Sequence, residues 1–475
     1  MHLLDYIIFI IYFLAVLSVG FYFFRKNETR EDYYVGSRNI PAAHVGMSIV
    51  ATDVGGGFSI GLGGLGFVMG LAGSWLLFTG LAGAWLAAVL IIPKIKSIDK
   101  QYGMLTFPDF LRQRFNNKAA LVAAVISGIG YLGFTGAQIL AGAKLAAGSV
   151  FSSITCMEPL DLALYVMAGI VLLYTVLGGI KAVIYTDTIQ WNILLGGLLI
   201  FGVPYAYMEV GGWDVLSSQL PAEYFSLANI SISQLLNWLF TIIPIWFIAM
   251  TLYQRIYACR SESDAKKAFY IAGILEYPVM AFLGVFLGMT ARVFFPDAEA
   301  EMGMPMLLST VLPVGITGIV MAAYFSAIMS TADSCLIASS GNFTNDIIER
   351  HWLKGLSQKR LIQVSQAVTL IVGSLALIIA SAFQTVLEII LHAYSFMVAG
   401  LFFPTLIAYF SKKRDAAAAV SSMLFGGSLT LVLIFVQIKL PLGLEASIFG
   451  TAASILTYYS VYNLKNSRRK NKDVR

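Results

Sequence analysis

Apolar stretches long enough to cross a bilayer follow one another along the whole chain, with little polar sequence between them. About 20 apolar residues in a helix cross ~30 Å of hydrocarbon. Stretches near 4–24, 44–69, 71–93, 119–147, 160–178, 184–207, 233–254, 267–291, 307–341, 363–382, 386–411, 415–437 and 445–464 meet that condition. Of the 475 residues, 12% are charged and 58% hydrophobic. A soluble domain carries roughly 25% charged residues, because its surface faces water. Half that charge suits a chain whose solvent is lipid. The expectation is an all-α integral membrane protein with about 13 transmembrane helices.

The net charge of +5 reflects where the basic residues lie. Alternating the spans puts 28 of the 31 Lys and Arg on one side, in clusters that include Lys94 to Lys118, Arg255 to Lys267 and Lys465 to Arg475. The exceptions are Lys144, Arg292 and Lys439. Positive loops stay in the cytoplasm, so the amino terminus is expected outside a plasma membrane and the carboxyl terminus inside. The loops near 209–232 and 294–306 carry acids and no Lys or Arg, which excludes nucleic acid as a partner. Lys144, near a helix end, is expected to snorkel to the interface. Cys156, Cys259 and Cys335 lack metal spacing and predict no disulfide framework. The first apolar stretch lacks a basic flank and a cleavage site, and reads as a retained span rather than a signal peptide.

Two spans are interrupted. The second holds Gly55-Gly56-Gly57, then Gly61, Gly63, Gly64 and Gly66, and the seventh holds Pro244 at its middle. Backbone freed at bilayer depth is tolerated only where it lines a cavity or binds something. The triple glycine reads as an unwound segment, while Gly61 to Gly66 suit close helix packing equally well. The breaks are five spans apart, so two sets of five spans each open on a discontinuous helix. An odd number of spans forces the second set to enter from the opposite side. This 5+5 inverted repeat predicts a solute and ion site at midplane. The chain then divides into a first helix and loop (1–40), a first repeat (41–208), a loop (209–232), a second repeat (233–411) and two extra helices with a basic tail (412–475).

Acids and hydroxyls inside spans are functional candidates, because lipid makes them costly. Ser326, Ser330, Asp333 and Ser334 share one helical face, with Thr331 beside it. A stripe of hydroxyls with a carboxylate suits a hard cation that takes oxygen ligands. Ser and Thr also serve membrane helices as small packing residues, but an aspartate among them favours a site. Asp187 could equally cap a helix start or pair with Lys181. Asp53, just before the triple glycine, could hold a cation or an ammonium, or brace freed N–H groups. Glu276, Glu388 and His392 receive no role.

Asp32 to Arg38, Ala51-Thr52-Asp53-Val54-Gly55-Gly56-Gly57, Gly178-Gly179, Asp187-Thr188-Ile189-Gln190, Tyr253-Gln254-Arg255 and Met329 to Ser334 occur in this order. Together they resemble the sodium:solute symporter family over roughly residues 1–460. The resemblance implies a leucine-transporter-type core and sodium-coupled uptake of a small solute by alternating access. It also implies a sodium held by carbonyls of Ala51, Val54 and Ala327 and hydroxyls of Ser330 and Thr331. In some members a second sodium lies near an aspartate matching Asp187. Here Ser330 and Ser334 would join it, with Asp333 where a relative has serine.

For the solute, the break at Asp53, Gly57 and Phe58 is expected to face Phe134 and Gln138 of the fourth span and Trp246 and Met250 of the seventh. The glycine motif looks like the choline-transporter version, with Asp53 in place of a tryptophan, whereas an aspartate there is a proline-transporter trait. The reading therefore favours a zwitterion such as proline, with choline, pantothenate, monocarboxylates, sialic acid and sugars as alternatives. An enzyme is disfavoured: no nucleophile–base pair or metal-spaced histidines occur, and the glycine run lies inside a span. A channel would need symmetric rings of ligands. A transporter-like sensor would normally carry a fused signalling domain.

Overall fold

The computed structural model describes residues 2–24, 35–54, 56–151, 158–175, 180–353 and 357–473. Gly55, Gly178, Gly179, Cys156 and Asp32 to Tyr34 lie outside them. The described residues form helices, with a lone bridge between Ile40 and Cys259. Those used below are, in order, α1 (Leu3–Phe24), α2 (Ala42–Asp53), α3 (Gly57–Met69), α4 (Trp75–Leu90), α5 (Asn117–Gly148), α6 (Pro159–Thr175), α7 (Ile180–Gly197), α8 (Ile232–Ile245) and α9 (Met250–Ala258). They continue as α10 (Glu262–Ile274), α11 (Phe282–Phe294), α12 (Ala300–Val311), α13 (Ile316–Gly341), α14 (Gln358–Ala382), α15 (Val386–Phe410), α16 (Ala416–Val436) and α17 (Ala446–Asp473).

Both expected breaks are present. Between α2 and α3 the helix is lost, and Gly56 adopts φ −114°, ψ −95°. Between α8 and α9 the axis bends by 43°. Pro244 lies in the last turn of α8, where its ring and missing N–H stop the ladder, and Ala249 is extended. The later glycines of the second span serve packing. A β-carbon on Gly66 would lie 2.2 Å from the Val285 carbonyl, and one on Gly288 2.1 Å from the Gly63 carbonyl, so α3 and α11 meet main chain to main chain.

Among the described residues eight helices are long and apolar enough to cross a membrane, or nine with the bent α8–α9 pair, so the count of thirteen is not confirmed. One stretch, Gly57–Leu90, contains both α3 and α4, although Gly70 at φ 69° breaks the helix within it. The expected span 307–341 is also two helices: α12 ends at Val311, and Pro313 with Gly315 (φ 89°) separates it from α13.

α13 lies at the centre of the bundle, buried along nearly its whole length between α5, α7 and α1. Asp5 of α1 accepts from the N–H groups of Gly315 (2.6 Å) and Gly318 (3.1 Å), supplying partners for donors that a helix start leaves free. The hydroxyl stripe on α13 thereby faces protein rather than lipid.

Candidate functional site

The site begins where α2 stops. The last carbonyls of a helix have no partner within it and carry the negative end of its dipole. The Ala51 carbonyl, in that last turn, accepts from the Thr331 hydroxyl at 2.9 Å. The same hydroxyl lies 3.0 Å from the Ala327 carbonyl of its own helix. Three of the five expected sodium ligands, Ala51, Ala327 and Thr331, therefore converge between the broken span and α13. Val54 follows directly, fully buried, at the end of α2. Ser330 turns elsewhere: its hydroxyl donates to the Asp187 carboxylate.

Asp187 is fully buried on α7 and also accepts from the Ser48 hydroxyl of α2. Its charged partner is Arg255, 3.5 Å away, with both side chains inaccessible to solvent. This corrects the placing of Arg255 in the cytoplasmic cluster. Its guanidinium lies inside the bundle and donates to Ser48 (3.1 Å), the Thr251 carbonyl (3.2 Å), Thr52 and Ser334 (3.4 Å). A fixed cation thus occupies the centre of the serine face. Asp333 does not join it, and accepts instead from Thr175 of α6 at 2.5 Å.

Across the break, the Gly57 N–H donates to Gln138 Oε1 at 2.8 Å, so α5 caps the start of α3. Gln138 fits because residue 56 is glycine: a β-carbon there would lie 2.2 Å from the same oxygen. Asp53 accepts from Tyr394 of α15 at 3.3 Å. The Tyr394 ring lies 5.3 Å from Phe134 and 6.0 Å from Phe58, centroid to centroid. Asp53, Gly57, Phe58, Phe134 and Gln138 are therefore neighbours, joined by Tyr394. Sequence reading missed that tyrosine, because an aromatic inside an apolar span carries no distinguishing signal. Trp246 and Met250 face elsewhere. Trp246 packs edge-on to Phe269 of α10, and the Met250 sulfur accepts from the Phe107 N–H at 3.2 Å.

A cavity of about 890 Å³ reaches α3 and α15 from the side of the 209–232 loop. Gly61, Asn229, Glu299, Glu301, Glu388 and His392 are among its lining residues. Lys144 does not snorkel, as it is 1% exposed and bound to Glu301 at 2.6 Å and Glu299 at 3.0 Å. Glu301 also accepts from the N–H groups of Val386 (2.8 Å) and Leu387 (3.1 Å), so this ion pair ties α5, α12 and α15 together.

Two broken helices, one of which presents a carbonyl to the hydroxyl-bearing α13, are what the core of a secondary transporter is built from. The sodium:solute symporter family model matches residues 33–426. The chain belongs to that family, and it is a membrane transporter coupled to sodium rather than an enzyme. It is 26% identical over 461 residues to a high-affinity proline transporter of Bacillus subtilis (strain 168), covering 94% of this chain and 95% of that one. It is 30% identical over 388 residues to sodium/myo-inositol cotransporter 2 of Mus musculus, covering 72% and 56%. Its fold is that of a solved sodium-coupled sialic acid symporter in a substrate-bound, outward-open state, with TM-score 0.77, 20% identity and 98% of each chain covered. The leucine-transporter-type core that the resemblance implied is the fold observed.

Proposed function

We propose that this symporter imports a small zwitterion, an amino acid such as proline, with sodium bound between the carbonyls of Ala51, Val54 and Ala327 and the hydroxyls of Ser330 and Thr331. The observation that carries the sodium assignment is the Thr331 hydroxyl bridging the end of α2 to α13, at 2.9 Å from the Ala51 carbonyl. An ion there, supplying charge the carbonyls lack, favours one arrangement of the two helices by its difference in affinity between states. Arg255 already neutralises Asp187, so a second sodium at Asp187 and Ser334 must share the carboxylate with a resident cation. Asp53 and Tyr394 are the polar end of the solute site, and Phe58 and Phe134 its apolar wall. The amino terminus faces outward, the two five-span repeats are 41–208 and 233–411, and solute enters through the cavity beside Glu301.

A sugar or polyol is the second reading, favoured by the 30% identity to a myo-inositol cotransporter. Competition against uptake of labelled proline into proteoliposomes, driven by sodium added outside, separates the two. Inhibition by amino acids and betaines supports the zwitterion. Failure to take up proline, together with stimulation of sodium uptake by sugars alone, rejects it.

A further inference from the structure

A cavity of about 650 Å³, separate from the transport site, is lined by four cations: Arg38, Lys96, Lys100 and Arg260. It lies among the basic clusters Lys94 to Lys118 and Arg255 to Lys267. Lys96, Asp99 and Lys100 come from one face of the short helix Ile92–Tyr102, spaced i, i+3 and i+4. Arg38 comes from the turn Gly36–Arg38, where Ser37 (φ 60°) and Arg38 (φ 54°) hold a left-handed backbone that side chains ordinarily avoid. Arg260 comes from the link between α9 and α10. It follows Cys259, whose carbonyl accepts from Lys96 Nζ at 2.9 Å, so the end of α9 is tied to the cavity wall.

The acids of this cavity are already taken. Asp99 is buried, accepts from Arg38 at 2.6 Å and has Lys96 at 3.6 Å. Glu262 pairs with Lys266, one turn further along α10, at 2.6 Å. Lys100 and Arg260 are left over. Both are exposed, and among the described residues neither has a carboxylate partner. Arg260 donates through Nε to the Asn39 carbonyl at 3.1 Å, which leaves the two terminal nitrogens of its fork. Ser261 caps α10 by accepting the Asp264 N–H at 3.1 Å, and the Glu262 and Ser263 N–H groups ahead of it have no partner within the helix. They carry the positive end of the helix dipole. An ammonium, a planar guanidinium fork and a helix start on one concave surface suit a phosphate, whose oxygens accept from all three. The volume leaves room for the group esterified to it.

We propose that this cavity binds a phosphate group, belonging to an anionic lipid headgroup or to a free phosphate, through Lys100, Arg260 and the start of α10. Basic pockets beside membrane helices take lipid phosphates by the same chemistry. Purified full-length protein in non-ionic detergent is titrated with phosphatidylglycerol, with phosphatidylcholine as the net-neutral control. A second titration uses inorganic phosphate against chloride at equal ionic strength, and thermal unfolding reads the binding in both. The parent is expected to be stabilised by phosphatidylglycerol or by inorganic phosphate, and less so at high salt. Stabilisation by the lipid alone assigns a headgroup, and stabilisation by inorganic phosphate assigns a free phosphate. Lys100→Gln combined with Arg260→Gln is expected to weaken the binding at least about ten-fold. Ser97→Glu, at an exposed wall position, keeps all four cations but brings a carboxylate into the cavity. It is expected to weaken binding as well, and serves if the double variant does not fold. Unfolding of the parent that neither probe shifts overturns the site, as does a shift that these variants retain in full. No arm involves sodium, so the result leaves the symport reading untouched.

Discussion

Replacing Asp187 by Asn separates two roles that the geometry gives one carboxylate. The change leaves Arg255 with its neutral acceptors Ser48, Thr52, Thr251 and Ser334 but no counter-charge. Removing one partner of a buried ion pair costs about 3–5 kcal/mol. The 3.5 Å separation here is long for a charge-assisted contact, which places the loss near the lower end, about 3 kcal/mol. Thermal unfolding of the purified parent and variant without sodium measures that loss directly. Sodium at a hundred times its dissociation constant then adds about 2.7 kcal/mol to a protein that binds it only when folded. If Asp187 also serves the ion, this increment shrinks in the variant, and uptake falls more at limiting than at saturating sodium. Equal sodium increments in both proteins refute the coupling role. A sodium-free difference below about 1 kcal/mol refutes the ion pair as a stabilising element.

The Ser330→Ala/Thr331→Ala pair should raise the sodium concentration needed for half-maximal uptake while the protein stays folded, since the lost bonds cost about 1 kcal/mol at Thr331 and about 1.5–3 kcal/mol at Ser330, whose acceptor is the Asp187 carboxylate; unchanged sodium activation rejects the ligand assignment. Lys144→Met, which leaves Glu301 its two N–H donors but no cation, should lower stability by about 3 kcal/mol, read by the same unfolding assay. For orientation, single cysteines at Ser226 and Glu262 in a cysteine-free background should differ in labelling by an impermeant reagent on intact cells, with residue 226 labelled. Asp415 should show a pH signature. Partial burial raises its pKa, but the bond from Lys465 (2.5 Å) and the Ala417 and Ala418 N–H groups outweigh that and hold it below the usual carboxylate value. Its stabilising effect is then full above about pH 4 and lost as pH falls through the depressed value, so Asp415→Ala should cost about 1 kcal/mol at neutral pH and little in strong acid.

Whatever the backbone announces locally was legible. Gly56 and Pro244 mark their breaks because neither can sustain a helical ladder, and Thr331 was found because hydroxyls are conspicuous in an apolar run. Partners brought from far along the chain were not. Arg255 reads as a loop residue beside a basic cluster, and only the course of α9 carries its guanidinium to Asp187. Lys144 looked interfacial because its partners, Glu299 and Glu301, are about 155 residues away in a segment read as loop. Trp246 failed differently: it sits at the predicted break, yet the direction of an aromatic there depends on Gly83, an unremarked small residue in another span.

Between α3 and α11 the main chains meet directly where Gly66 faces the Val285 carbonyl and Gly288 the Gly63 carbonyl, and Gly284 seats the Leu62 side chain. A seam of this kind has nothing to repack, so neither helix can turn against the other without unseating its whole face. A displacement of α3 reaches α11 in full, and α12 travels too, because Met304 and Glu301 abut Gly63 and Gly64. These three segments are therefore packed as one unit, joined to α2 through the non-helical backbone at Gly56.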